Sequence, residues 1–428
     1  MAALVAGDGV SSLPLFEGEV FLGDVDVFLP PGSLSSGMES QHPVFPGRKI
    51  QISHRSPASD RCPPLSVLQV ISAYSTAVVE AGAEELHLVA MESKLKGVPC
   101  FWCWSAQTGL YEACLEMLNQ RCLALVFDLD ETLVLTNNKE TFENRMEKIT
   151  SDLKNSELDA TTEVALCNEL YKVCEDIELL KDFTKTGTIT LNHEIVRSQH
   201  EEGMLHKPGG VQQLIVRPVI RIPGRNAVLT RIKPMVPEHS CFINIRPGWD
   251  DLKSYLTTTT GRRRYKVYVC TMAGRDYALE AWRLLDPEGS LIGSEEISQR
   301  LICVKPDSQK SLERVFQESL CHPNMAMVID DRMDVWDERD KRRVHILPPY
   351  NPSFAPEDKG SRDLSVLQIV KTVTSNVRGG FFSYFDDNLR KIVNELMYEN
   401  SVLDLPDSPD VGDYLQRKSM EKKLWISK

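Results

Sequence analysis

Three short apolar runs, LALVF at 123–127, YKVYVC at 265–270 and MAMVI at 325–329, each lead directly into polar residues: Asp128, Thr271 and the pair Asp330-Asp331. An apolar run of this length with polar ends reads as a strand buried on both faces, as in parallel sheets covered by helices. The segments between them, GWDDLKSYL, DYALEAWRLLD and QKSLERVFQESL, have helical spacing, and RLICVK adds a further strand. Strands therefore alternate with helices from 123 to about 347, the pattern of an α/β fold with an open Rossmann-like parallel sheet flanked by helices. Ligands of such sheets bind beyond the carboxyl ends of the strands, so the three polar ends would share one crevice.

The first of those ends carries an electrostatic cost. LALVFDLDETLVL sets Asp128, Asp130 and Glu131 within four residues. Two like charges roughly 4 Å apart at an effective dielectric near 20 repel by about 4 kcal/mol. A cation would offset that repulsion. Carboxylate oxygens suit Mg²⁺, which takes few protein ligands and keeps water and phosphate, with Mn²⁺ or Co²⁺ as substitutes.

The composition is that of a core-forming protein, with 42% hydrophobic and 26% charged residues among 428. A net charge of −12 argues against a whole-surface grip on nucleic acid. The start, MAALVAGDGV, lacks the basic and apolar regions of a secretory signal, and no run is apolar enough to span a bilayer, so no membrane partner is expected. Eleven cysteines read as free thiols of a reducing compartment. CFWC at 100–103 lacks the second pair that a zinc site needs, and buried thiols are expected there.

Residues 1–118 form a smaller α+β region. Within it LPLFEGEVFLGDVDVFLP alternates as a β-hairpin, 31–64 is a loop rich in Pro, Ser and Gly, LSVLQVISAYSTAVVEAG reads as a helix, and EELHLVAM as a strand. LYEACLEMLNQR reads as a second helix. The main α/β domain is expected over 119–355 with a β-containing insertion at about 138–246, charged and helical at first, then short β runs broken by Pro and Gly. Residues 356–428 give a helical extension and a polar tail.

VFDLDETLV, VYVCTMAGRDYALEAWRLLDPEG, KSLERVF and MVIDDRMDVWDE together resemble the four motifs of the haloacid-dehalogenase-type phosphatases. Within these they resemble the D-x-D-x-T branch that dephosphorylates the C-terminal repeat domain of RNA polymerase II. RCPPL, EELHLVAM, PCFW, RCLALVFDLDETLV and VRGGFF resemble the plant C-terminal-domain phosphatase-like proteins, extending the likeness over most of 15–415. The resemblance implies a Mg²⁺-dependent, nuclear protein serine phosphatase that regulates transcription, with the phosphorylated repeat domain as substrate and transcription factors as further partners.

The resemblance makes Asp128 the nucleophile and Asp130 the general acid and base. It places the metal on Asp128, Asp331 and the main-chain carbonyl of Asp130. Thr271 would hydrogen-bond a phosphoryl oxygen and Lys310 would neutralise it, with Lys305 the rival lysine. Asp330 and Thr132 would support that set from behind, and Glu131 would be a solvated flank. Arg262, Arg263 and Arg264, and Arg231 and Arg246 of the Arg-rich insertion, are candidates for contacting a polyanionic substrate; the bland alternative puts the insertion arginines on the wet face of a small sheet. Competing readings are a phosphatase of small metabolites and a non-catalytic polymerase-binding scaffold. The chain ends at Lys428 without a double-stranded-RNA-binding pattern, so no RNA-binding domain is expected in it.

Overall fold

The computed structural model describes residues 10–17, 20–28, 50–55, 65, 68–69, 77–81, 84–91, 100–154, 159–206, 212–222, 224–257, 264–317, 320–352, 366–395 and 409–417. The chain divides into two compact units, one from residues 1–123, 316–326 and 375–428, the other from 124–315 and 327–374. The first holds β1 (Val10–Glu17), β2 (Val20–Phe28), β3 (Ile50–Arg55), β4 (Ala77–Ala81), β5 (Glu84–Met91) and β6 (Cys100–Gln107), followed by α1 (Leu110–Asn119). The six strands form one sheet in the order β1-β2-β3-β6-β5-β4. β1 and β2 are the expected hairpin. The helix expected through residue 82 is corrected at its end: Ala77–Ala81 is a strand paired antiparallel with Glu84–Leu88, because β-branched Val78 and Val79 gain a ladder partner there. The thiols of Cys100 and Cys103 lie outside the described side chains.

The strand β7 (Leu123–Phe127) is buried at every residue. The chain then enters the insertion through β8 (Val134–Asn137), α2 (Lys139–Leu153) and α3 (Ala160–Thr186). Helix α2 starts at a capping box, Asn138 accepting from Thr141 N while Thr141 Oγ1 accepts from Asn138 N, each at 2.8 Å. A small hairpin, β9 (Thr188–Leu191) and β10 (Glu194–Arg197), precedes β11 (Gln199–His206), β12 (Gln212–Ile222), β13 (Ala227–Arg231) and β14 (Ser240–Ile245). These last four join β8 in an antiparallel sheet of order β11-β12-β13-β14-β8. The insertion has its own core, in which Phe142, Phe183, Ile220, Leu229 and Phe242 are buried together.

Past α4 (Trp249–Thr257), the chain returns as β15 (Tyr265–Thr271), α5 (Arg275–Leu285), β16 (Leu301–Cys303), β17 (Ala326–Asp330), β18 (Val344–Ile346) and α6 (Val366–Glu395). The sheet order is β16-β15-β7-β17-β18, with β15–β16 and β17–β18 pairing in parallel. This is the expected open α/β sheet, and its three central strands are the three apolar runs. Among the described residues of QKSLERVFQESL, the α-helical part is a single turn, Leu312–Val315. Among the described residues, no helix is long and apolar enough to cross a membrane.

Candidate active site

At the end of β7 the chain coils tightly so that Asp128 and Asp130 stand on one short loop. Asp128 N donates to Ile329 O of β17 at 3.0 Å, and Leu133 N and Val134 N both donate back to Leu129 O, at 2.8 and 3.0 Å. Leu129 and Leu133 are fully buried and plug the coil from below. Glu131 takes the left-handed conformation, φ 60, that lets the backbone double back. It is exposed, as a solvated flank would be.

Behind this coil sits Arg246, only 5% exposed. Its backbone N donates to Leu133 O at 2.8 Å, and its guanidinium donates to Thr132 O at 2.9 Å and to Pro348 O at 2.7 Å. Tyr350 N donates to Glu131 O at 2.6 Å, and the Tyr350 ring lies under the Arg246 guanidinium. Arg246, expected at the substrate, thus has its donors on Thr132 O, in the coil that carries Asp128 and Asp130, and on Pro348 O. Arg231 is similar: it bonds Ser240 Oγ, Pro234 O and Thr184 O and covers Phe183. A buried or half-buried arginine fills its fork with carbonyls because unpaired donors are costly. Arg264 is exposed and stacks on Tyr255. It precedes β15, whereas Thr271 ends it, and seven strand residues span roughly 20 Å. Arg262 and Arg263 lie outside the described residues.

Lys310 is fully buried. Its Nζ donates to Asp128 Oδ1 at 2.7 Å and to Asp330 Oδ2 at 2.8 Å. Burial alone would lower a lysine's pKa, but the two carboxylates outweigh it and raise this one. The backbone holds Lys310 in place, its N donating to Val335 O and its O accepting from Asp337 N, both at 2.8 Å. Lys305, the rival, is exposed. Asp330 has both oxygens engaged: Oδ2 also accepts from Trp336 Nε1 at 2.8 Å, and Oδ1 from Arg332 N at 2.9 Å. Thr132 Oγ1 donates to Asp331 Oδ1 at 3.2 Å and faces Asp331 N at 3.1 Å, tying the first strand end to the third. Thr271, also buried, ends β15 beside β7 in the sheet, its Oγ1 accepting from Ala273 N at 3.2 Å.

Asp128, Asp330 and Asp331 each offer one oxygen, and these lie within 4.8 Å of one another. Burial pushes Asp128 up to about 7, against the pull of Lys310, and the charges of Asp330 and Asp130 push the same way. Asp331 is likewise raised by burial and by Asp330. Carboxylates buried this close together suit a site that holds a cation. The donor set fits a hard divalent metal: the hydrogen bonds described for Asp128 and Asp331 use only Oδ1 of each.

Tyr277 and Trp336 carry no role in the expectations drawn from sequence. Tyr277 Oη donates to Asp130 Oδ1 at 2.5 Å and meets Thr136 Oγ1 at 2.6 Å. Asp130 is half-buried, and burial raises its pKa while the Tyr277 bond opposes that rise. The available signal was the polar spacing Tyr277, Glu280, Arg283 inside DYALEAWRLLD, where a core helix face would be apolar.

The chain is similar to known proteins over most of its length. Residues 212–378 match the NLI interacting factor-like phosphatase family, and residues 9–76 and 73–105 match the CPL1/2 SPOC domain. The chain is 40% identical over 444 residues to RNA polymerase II C-terminal domain phosphatase-like 1 of Arabidopsis thaliana, covering 94% of this chain and 45% of that protein. It is 37% identical over 103 residues to an RNA polymerase II C-terminal domain phosphatase of Schizosaccharomyces pombe, covering 23% and 12%. The chain thus spans less than half the length of these relatives. The structure of Fcp1, an RNA polymerase II CTD phosphatase, superposes with TM-score 0.38 and 18% identity over 72% of this chain and 73% of that one, too loosely to add to the strand order above.

Proposed function

This chain is a close homologue of the plant RNA polymerase II C-terminal domain phosphatase-like proteins, and from that premise we propose that it is a Mg²⁺-dependent phosphatase acting on phosphoserine in the polymerase repeat domain, in the nucleus. The observation that carries the reading is Lys310 Nζ held between Asp128 and Asp330 at the ends of two adjacent strands, with Asp331 beside them. That lysine together with three clustered carboxylates at strand ends favours an enzyme over a scaffold. The roles are those the resemblance implies, and the hydrogen bonds already made are compatible with them.

Asp128 is the nucleophile. Its carboxylate attacks phosphorus, the bond from phosphorus to the serine oxygen breaks, and an aspartyl-phosphate forms. Asp130, half-buried and oriented by Tyr277, gives the leaving oxygen its proton and later takes one from the water that hydrolyses the intermediate. Lys310 Nζ and the Thr271 hydroxyl offset charge on the phosphoryl oxygens. Asp330, with both oxygens engaged, positions Lys310, and the metal ligands that the resemblance implies are Asp128, Asp331 and the Asp130 carbonyl. Bound there, Mg²⁺ would relieve the repulsion among the carboxylates and admit an anionic phosphate next to Asp128.

Two results are expected. EDTA abolishes turnover of phosphorylated repeat peptide and Mg²⁺ restores it, while Mg²⁺ at about 100 times its Kd stabilises the unaltered chain by about 2.7 kcal/mol and has little effect on the melting of Asp331→Asn. Turnover indifferent to chelation would remove the metal from the mechanism, and sugar phosphates turned over faster than peptide would favour the metabolite reading. Tyr277→Phe, which keeps the ring and deletes the hydroxyl, lowers kcat by about tenfold with little change in KM; an unchanged kcat would show that Asp130 needs no such orienting bond.

A further inference from the structure

Helix α5 meets the insertion through a stripe of polar side chains. Tyr277, Glu280 and Arg283 recur every three residues and so lie along one face of the helix. Each reaches a different strand of the five-stranded sheet. Tyr277 meets Thr136 of β8 at 2.6 Å, Glu280 Oε1 accepts from Thr230 Oγ1 of β13 at 2.7 Å, and Arg283 Nη1 donates to Glu201 Oε2 of β11 at 2.6 Å.

At the centre of the stripe an ion pair is fully buried. The side chains of Arg217, from β12, and Glu280 are each 0% exposed, with Nη1 and Oε2 3.4 Å apart. Arg217 also donates from Nε to Ile232 O at 3.0 Å and from Nη2 to Met204 O at 2.7 Å. Gly203 makes room for it: a Cβ there would lie 2.1 Å from Arg217 Nη1. Arg283 completes the carboxylate's bonding, its Nε donating to Oε2 at 2.8 Å and its Nη2 to Oε1 at 2.9 Å.

A buried ion pair returns little net stability compared with apolar residues of the same volume, and its best-attested use is to fix register. The register that matters here lies one helical turn away, where Tyr277 bonds Asp130. We propose that the Arg217–Glu280 pair is a positioning device for the acid–base residue, locking α5 onto the insertion so that Tyr277 is held between Thr136 and Asp130. The inference rests on the reading of Asp130 as the acid and base. Arg217 and Glu280 contact no reacting atom and act through Tyr277.

A cycle of variants in the full chain tests this, using phosphorylated repeat peptide and a small aryl phosphate. Arg217→Met with Glu280→Met replaces the pair by apolar side chains, and Tyr277→Phe removes the hydroxyl. The paired variant is expected to melt within about 4 °C of the unaltered chain and to lose about tenfold in kcat with KM changed by less than about twofold. In the Tyr277→Phe background the same pair of changes costs nothing further, because residues acting through one group are not additive. Losses that multiply in the triple variant, or an unchanged kcat in the paired one, overturn the proposal. If the paired variant does not fold, Thr230→Val takes its place, with a loss of about threefold that vanishes beside Tyr277→Phe. Amide hydrogen exchange reads the same coupling without turnover: residues 130–136 exchange faster, and to the same extent, in the paired variant and in Tyr277→Phe. Unchanged protection there overturns the positioning role, whereas an unaltered chain inactive on every phosphoester removes the phosphatase reading and leaves the exchange result to decide the coupling.

Discussion

Asp128→Asn is expected to lower kcat/KM on phosphorylated repeat peptide by about 10⁴-fold or more, the scale on which loss of a nucleophile is felt. The amide is nearly the same size as the carboxylate and cannot form the acyl-phosphate bond. It can still accept from Lys310, whose second partner Asp330 remains in place at 2.8 Å. Melting should therefore move little, by about 4 °C at most. The substitution also removes one of the mutually repelling buried carboxylates, so the fold has no cause to fail. Residual turnover above about one part in a hundred, in protein shown to be folded, would mean that another group attacks phosphorus.

Lys310→Met should act on both stability and catalysis. The methionine fills the lysine's volume but leaves Asp128 and Asp330 buried without their shared cation. Breaking a buried pair in this way costs about 3–5 kcal/mol, and in a unit of this size a fall in melting temperature of roughly 6–20 °C. Turnover should fall by about 10²-fold or more, as when a transition-state charge partner is lost. Adding Asp330→Asn separates the two effects. The double variant removes one uncompensated charge, so thermal denaturation should recover part of the loss while turnover stays low. If turnover returned with stability, Lys310 would be a structural cation only.

Arg246 shows how a sensible expectation from sequence can misplace a residue. An arginine in a basic insertion reads as a phosphate ligand, because its neighbours in sequence are other arginines. In the fold its donors are taken by Thr132 O and Pro348 O, at 2.9 and 2.7 Å, from chain segments about a hundred residues away on either side. Arg217, from the same Arg-rich stretch, is one of the largest fully buried side chains. The wet-face alternative describes Arg221 and Arg225, which are exposed and pair with acidic residues of β11 and α3. Nothing in the local pattern separates the two groups.

What the sequence by itself determined is whatever local chemistry forces. Apolar strands must be buried, and carboxylates as close as Asp128 and Asp130 need a counter-charge. Those demands act within a few residues and hold in any fold the chain could adopt. The tertiary structure shows how those counter-charges are met: Lys310, which the motif resemblance already favours over Lys305, on Asp128, Asp330 on Lys310 and Trp336, Tyr277 on Asp130, and Arg246 on the coil behind them. Each of those bonds except that to Trp336 joins residues at least 20 positions apart. They exist because strand order and helix register bring the groups within 3 Å, and a hydrogen bond or an ion pair in a buried site is governed by that distance and by the water excluded around it.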